Sequence, residues 1–497
     1  MLDVTALADE IGITALAASA RSVTRGLGGD GDAAGLLVRL VGDDARNRLA
    51  GGEEEPKLIM QVEPLGTEVS IVMRDRGAPV VGPPETLLAL LALGVASRVD
   101  ARHEFNGNVI EVRIALPQYH SIVEGANIEV LSGDVELSTE EVETRPLAKG
   151  DAEALTQGIY RCYGWTYPNP DFYYPDRIEA SLAAGKRIGY VAVSPSGEMV
   201  AHWGAVWIGP SIVETGGTFT DPRFRRRGLA GKLGDSLLEK LREIGVQGRL
   251  REPVLTHPAT QHIAIQDGAT FVGVRLHDHA PFQQVGITDG LLTSRASLTV
   301  AYSSLQPLEP KTVWVPSAYE PFLARILNGT DWSRTIGEGV SKQDWPEQSR
   351  LASSFDTDEQ VGEITVEVIG ADLCDVLDAT ITQYRHSGAE VIRVNIPAND
   401  PALPVVGAGL PELGLGFSVY VPGLLETGDA LILEWLHDSE IDTSVFNYAD
   451  ERVETLTKMV VAQAGDVGML GARQRRRASR RAQLFSGLAG LEAEALR

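Results

Sequence analysis

The densest chemical signal in the chain is Thr218-Phe219-Thr220-Asp221-Pro222-Arg223-Phe224-Arg225-Arg226-Arg227-Gly228-Leu229-Ala230. An extended run stops at an Asp-Pro turn, and a basic loop with one glycine follows. Leu229, Leu233, Leu237, Leu238 and Leu241 then recur at helical spacing. A loop of this kind aims backbone N–H groups and a helix N-terminus at one spot, where the helix dipole favours negative charge. Gly228 lets the backbone approach closely, Ala230 leaves room, and Arg225, Arg226 and Arg227 add positive potential. A pyrophosphate fits that description.

Other reactive types lie nearby. Glu214 stands eight residues before Pro222 on the same extended run. It reads either as a base or as a strand-end carboxylate paired with an arginine. His257 and His262, five apart, read as structural or solvent-facing, with acid–base work as the alternative. The loop from Tyr163 to Pro175 packs six aromatic residues into thirteen: Tyr163, Trp165, Tyr167, Phe172, Tyr173 and Tyr174. Aromatic rings with polar handles suit a small, partly polar ligand, and equally a loop packed against a neighbouring domain.

The elements that must position these residues form a middle block. Helices are expected at Asp151–Tyr163 and Asp176–Ala184, then strands at Arg187–Val193, Met199–Ile208 and Ser211–Thr220, then a helix at Leu229–Ile244. Before it, an acid- and Gly-rich stretch from Glu124 to Glu143 links back to a first block. That block has helices at Ala6–Ala18 and Ala33–Leu49, with Gly51-Gly52-Glu53-Glu54-Glu55-Pro56 ending the second. A hairpin of Lys57–Glu63 and Thr67–Arg74, a helix at Glu85–Leu93 and a strand at Asn108–Leu116 complete it. A last block starts near Ser294. It has helices at Tyr319–Leu327 and Cys374–Ser387 and strands at Ile364–Ile369, Val391–Ile396 and Ala430–Trp435. Arg473, Arg475, Arg476, Arg477, Arg480 and Arg481 crowd its tail, a solvated helix end or a contact for an acidic partner.

Composition bounds the function. The chain of 497 residues is long enough for three domains. A net charge of −24 argues against nucleic acid, whose phosphates need a basic face, and favours a soluble cytoplasmic protein. Cys162 and Cys374 are the two cysteines, too few and too far apart for a disulfide framework or a structural zinc site, and no metal is expected. No apolar run is long enough to span a membrane, and the N-terminus lacks a basic n-region.

The Thr218–Ala230 segment resembles the CoA-binding motif of the GNAT N-acetyltransferase superfamily, Arg/Gln-x-x-Gly-x-Gly/Ala, with Arg225, Gly228 and Ala230 at the fixed positions. The resemblance implies an α/β (α+β) GNAT fold over residues 143–290, a mixed and mostly antiparallel sheet flanked by helices. It implies that Arg225, Arg226, Arg227, Gly228, Leu229 and Ala230 hold the CoA pyrophosphate. The strand at Phe219 and Thr220 would bind pantetheine and polarise the thioester. Glu214 becomes the general base, His257 a second catalytic candidate, and Tyr163, Trp165, Tyr167, Tyr173 and Tyr174 the acceptor wall. Acetyl-CoA or another acyl-CoA is the implied co-substrate. The chain departs from the family at Ala264, where a proton-donating Tyr often stands four residues before a glycine, here Gly268.

Residues 1–120 resemble the histidine-kinase-like ATPase sandwich in its anti-sigma-factor form, through Val69 to Pro79 and Gly107-Asn108-Val109-Ile110. Asp75 and Gly77 match its adenine motif. Leu40 and Asp44 stand where that family has Glu and Asn, and Thr86-Leu87-Leu88-Ala89-Leu90 replaces its phosphate glycines, so ATP binding is not expected and a scaffold or homodimer role is. Residues 294–465 resemble a degenerate second GNAT domain through Leu413-Gly414-Leu415-Gly416-Phe417 and Val419-Tyr420-Val421-Pro422, with a late helix opening at Asn399-Asp400-Pro401-Ala402. Residues 466–497 form the Arg-rich tail. Two functions follow. One is acyl transfer to a small-molecule amine, such as an amino acid or biosynthetic intermediate. The other is a regulatory protein that binds or acylates a protein lysine, with the ATPase-like block as the interaction module.

Overall fold

The computed structural model describes residues 2–27, 29–50, 56–65, 68–80, 82–104, 107–116, 128–130, 135–288, 290–338, 345–356 and 359–495. The expected turns at Gly51–Glu55 and Gly66, and parts of the Glu124–Glu143 linker, lie outside these residues. The first block runs β1 (Leu2–Leu7), α1 (Glu10–Gly26), α2 (Gly31–Leu49), β2 (Lys57–Leu65), β3 (Glu68–Asp75), α3 (Glu85–Ala92), β4 (Arg98–Glu104) and β5 (Gly107–Ala115). The middle block runs β6 (Glu143–Pro146), α4 (Ala152–Tyr163), α5 (Pro175–Ala183), β7 (Arg187–Val193), β8 (Met199–Trp207), β9 (Ile212–Thr220), α6 (Leu229–Glu243), β10 (Gly248–Arg251), α7 (Ala259–Gln266), β11 (Thr270–His279) and β12 (Ala296–Ser304). The last block runs β13 (Lys311–Val313), α8 (Glu320–Asn328), β14 (Arg334–Ile336), β15 (Arg350–Asp356), β16 (Val361–Val368), α9 (Leu373–His386), β17 (Val391–Pro397), α10 (Leu403–Val406), β18 (Gly416–Leu425), β19 (Gly428–Leu436) and α11 (Glu451–Ala495).

Side-chain periodicity explains the layers. Helix α6 buries Leu229, Leu233, Leu237 and Leu241, one stripe at four-residue spacing. Helix α4 buries Leu155, Ile159 and Cys162 in the same way. The strands between them alternate. Val191, Met199 and Phe219 pack with α4, whereas Ala192, Val200 and Val213 pack with α6. The middle sheet is therefore covered on both faces.

One seventeen-stranded sheet runs through the whole molecule. Its spatial order is β1-β2-β3-β5-β4-β15-β16-β17-β19-β18-β11-β12-β10-β9-β8-β7-β6. A pattern repeats inside it. Strands β9 and β10 are parallel, β10 pairs with β12, and β12 pairs with β11. Strands β16 and β17 are likewise parallel, β17 pairs with β19, and β19 pairs with β18. The two copies meet where β11 pairs with β18, at Gly273 opposite Val419. A Cβ on Gly273 would overlap the Ser418 carbonyl oxygen, so only glycine permits that approach.

Several expectations need correction. Ala6 and Leu7 close strand β1 instead of opening the helix expected at Ala6–Ala18, because Leu2–Leu7 pairs antiparallel with β2. The helix starts at Glu10, where the Asp9 side chain accepts from the Gly12 N–H. Strand β4 was not anticipated, although Val99 and Ala101 point inward between outward charges. Strand β12, just after Ser294, pairs with β10 and β11. Helix α11 runs through residue 466 and buries Val467.

The flanking blocks dock through specific pairs. Strand β4 pairs with β15. Arg177 on α5 makes an ion pair with Glu68 of the first block, whose carboxylate is fully buried and also accepts from the Ser97 hydroxyl at 2.6 Å. Asp75, the matched adenine position, is engaged within the protein: Arg48 donates to it at 2.5 Å, Asn108 at 2.7 Å and the Gly77 N–H at 2.8 Å. Asp44 forms an ion pair with Arg48. Among the described residues, no helix is long and apolar enough to cross a membrane.

Candidate active site

The site is a splay between parallel strands. Strand β10 follows β9 only from Gly248 opposite Ile212 to Leu250 opposite Glu214, and then ends at Arg251. From Thr215 to Thr220, β9 keeps its β8 neighbour but, among the described residues, has no ladder partner on the other edge. A register shift between His202 and Gly204 bulges β9 at Gly217 and Thr218, and Gly217 takes a φ of +63°. His202 fixes the bulge. Its Nδ1 stands 2.7 Å from the Gly217 carbonyl, which can only accept, so Nδ1 carries the proton. Burial pulls this imidazole down to about 4, so it stays neutral.

A cavity of about 630 Å³ fills the splay. At one end lies the basic loop. Gly228 is the N-cap of α6 at φ +69°, with no side chain capping the helix and open space where a Cβ would stand. The first N–H groups of α6 therefore lack a side-chain partner, the arrangement an anion needs. Arg225 lines the cavity and donates to the Thr220 carbonyl at 3.3 Å, and Phe219, Thr220 and Ala230 line it as well. Arg226 and Arg227 are exposed beside the loop, Gly228 sits at its surface, and Leu229 is buried under α6. Of the six loop candidates, Arg225 and Ala230 line the cavity, and Arg226, Arg227, Gly228 and Leu229 do not.

The other end is rich in ionisable groups. Glu214 lines it beside Glu252, Arg275, Asp278, His279 and Arg393. Arg275 pairs with Glu252 at 2.5 Å, and Arg393, from the last block, pairs with Asp278 and with Glu363 at 2.6 Å. Glu214 is left without a cation at contact distance among the described residues. Its carboxyl is pushed up to about 7, first by the neighbouring Glu252 charge and then by burial, while Arg275 pulls the other way. A carboxylate that titrates near neutrality can take a proton from an ammonium group. Glu252, Asp278 and His279 bring ligand atoms within 4.8 Å of one another, which a cation could bridge. Arg275 and Arg393 already neutralise two of them.

The aromatic loop divides. Tyr163, Tyr167 and Phe172 line the cavity. Trp165 packs on Tyr160 and Tyr173 instead, Tyr173 donates to the Gly164 carbonyl at 2.6 Å, and Tyr174 lies under Arg177. Tyr174 lines a neighbouring cavity, and Trp165 and Tyr173 pack within the loop. His257 lines the site, with its imidazole held below the ordinary value by burial, whereas His262 is exposed. Ala264 is fully buried in the core and does not line the cavity. The phenols that do are those of Tyr163 and Tyr167, and burial pushes both up, so they remain protonated. Tyr163 receives a bond from Gln284 at 2.8 Å.

Glu252, Arg187, Arg275 and Arg393 were not singled out in the sequence. Glu252 stands one residue past a four-residue strand too short to register as a pattern, and Arg393 belongs to a distant block.

Residues 152–262 match the model of the Acetyltransferase (GNAT) family. They carry an acetyltransferase domain of that family, and the protein is an acyl-CoA-dependent N-acetyltransferase in class. Among solved structures, the chain is similar to the ribosomal-protein-S18-alanine N-acetyltransferase of Escherichia coli, at 16% identity over 34% of this chain and 97% of that one, with a TM-score of 0.27. It is similar to a Salmonella typhimurium protein solved with acetyl-CoA as its cofactor, at 18% identity over 34% and 96%, TM-score 0.27. It is similar also to the spermidine/spermine N-acetyltransferase SpeG of Vibrio cholerae, at 13% identity over 33% and 93%, TM-score 0.26. No curated protein matches the chain.

Proposed function

We propose that the chain transfers an acetyl or other acyl group from acyl-CoA to the amine of a small molecule in the β9–β10 splay, with Glu214 as general base. The observation that carries this reading is the single cavity that joins the uncapped N-terminus of α6 to Glu214. The N–H groups of α6 and Arg225 would hold the pyrophosphate, and the free edge of β9 would pair with the pantetheine amides. Acyl-CoA supplies the acyl group as a reactive thioester. Glu214 takes a proton from the bound ammonium, and the freed amine attacks the carbonyl carbon. The C–N bond forms, the C–S bond breaks, and Tyr163 or Tyr167 is the wall hydroxyl that can return a proton to the departing sulfur.

Arg393 and the charged cluster behind it close the acceptor end, which supports a small acceptor over an unfolded protein chain. The repeated strand pattern supports reading the last block as a second acetyltransferase-like unit that serves as this wall. The internal engagement of Asp75 supports a scaffold role for the first block, with a homodimer through that block as the assembly it would allow. Thiol release from acetyl-CoA with mixed primary amines tests the proposal. Wild type should turn over and Glu214→Gln should lose about 10²–10⁴-fold in rate. Equal rates in the two would remove Glu214 from the chemistry.

A further inference from the structure

Arg187 is a buried cation that, among the described residues, has no carboxylate at ion-pair distance. It begins β7, is 5% exposed and lines the acceptor end of the cavity. Its guanidinium lies 4.3 Å over the Phe172 ring, and its buried Nε has no hydrogen-bond partner. Asp171 and Glu214 are the acids near enough to act on it; Asp171 is committed to Arg177 at 2.8 Å, and Glu214 stands beyond ion-pair contact. Among the described residues Arg187 forms no ion pair. A guanidinium taken out of water without a counter-charge is costly, and such groups persist where a ligand completes them.

The sheet register relates Arg187 to Glu214. Arg187 stands opposite Val206 on β8, and Val206 stands opposite Glu214 on β9. Residues directly opposite share a face, so all three side chains point to the same side. Alternation agrees: Val191, four residues after Arg187, packs with α4, and Val213, next to Glu214, packs with α6 on the other side. Two strand spacings separate the unpaired cation from the unpaired acid, roughly 10 Å between backbones. Both side chains reach into the space above Val206, and Tyr167 and Phe172 wall it.

We infer that the acceptor carries a carboxylate as well as its amine, and that Arg187 binds the carboxylate while Glu214 faces the amine. The acceptor class is the amino acid or a similarly short amino carboxylate. This rests on the acyl-transfer reading only for the role of the amine. The guanidinium fork matches a carboxylate in two parallel bonds, which an ammonium or a neutral amide cannot replace. The row also sets an order: the carboxylate lies toward β7, and the amine toward β9, where the thioester would be. Arg187 is a specificity residue in this scheme and takes no part in proton transfer.

The test pairs amino acids with their decarboxylated amines: leucine with isoamylamine, tyrosine with tyramine, lysine with cadaverine. Thiol release gives kcat/KM for each, and calorimetry on the CoA-loaded protein gives binding of each amino acid. In at least one pair wild type should favour the amino acid by roughly 10- to 100-fold, the effect of one charge-assisted pair. Arg187→Met should bring that ratio close to one, and Arg187→Lys should leave part of it. Amines acylated with no preference for the carboxylate in any pair would overturn the inference and leave acyl transfer standing. Amino acids that bind in an Arg187-dependent manner without turnover would uphold it and overturn acyl transfer. Neither binding nor turnover would overturn both. The wild-type ratio needs no variant, so a misfolded substitution does not rescue the claim.

Discussion

Glu252→Gln isolates the electrostatic arrangement on which the chemistry depends. Glu214 stands at about 7 instead of its ordinary 4.5, and the first cause is the Glu252 charge, with burial second. The rise of about 2.5 units corresponds to roughly 3 kcal/mol against the ionised form. Because Glu252 is the larger of two raising causes, its neutralisation should remove at least about one unit. Arg275, now without its partner at 2.5 Å, would add to the fall by turning toward Glu214. The assay is kcat/KM for thiol release from about pH 5 to about pH 9, with one acceptor for both proteins so that its own titration cancels. The acid limb of the wild type should lie near 7, and that of Glu252→Gln about one unit or more lower. The plateau should fall as well, since a less basic Glu214 draws the proton less strongly. An acid limb that stays in place, or moves upward, would refute the coupling and with it the assignment of the base.

Three further outcomes follow from the same structure. A carboxyl whose folded-state value is raised favours the folded state when protonated, so that stabilisation is present below about 4.5 and is lost as pH rises through about 7; Glu214→Gln should therefore gain stability over wild type at pH 8, by at most about 3 kcal/mol, and little at pH 4.5, as thermal melts at the two pH values would record. Gly228→Trp should weaken CoA binding at least tenfold in calorimetry, because the residue faces the open space at the α6 N-terminus and sits in the left-handed region; unchanged affinity would move the phosphate site elsewhere. Gly273→Val should part β11 from β18 and destabilise the fold by several kcal/mol, read as a lower denaturant midpoint, since its side chain would meet the Ser418 carbonyl.

What could be read from the sequence was local. The Arg225–Ala230 loop was legible because strand, turn, glycine and leucine stripe are contiguous, and the structure has a strand ending at Thr220 and a helix opening at Leu229. Glu214 was legible as a candidate because it precedes that loop on the same strand. The rest of the acceptor end was not. Arg187, Glu252 and Arg393 come from three separate elements, and only the sheet register and the meeting of β11 with β18 bring them together. The same limit applies to the strand just after Ser294. Strand β12 pairs with β10, a partner fifty or more residues earlier that no local pattern announces. The helix start expected at Ala6 failed for a related reason: Ala6 and Leu7 belong to β1, and that choice is made by β2, fifty or more residues away.

The most direct test is a crystal structure with acetyl-CoA bound. The pyrophosphate should rest on the N–H groups that open α6 at Leu229 and Ala230, with pantetheine along the free edge of β9 and the thioester beside Glu214. Density for the cofactor outside the β9–β10 splay, or with its thioester remote from Glu214, would contradict the account.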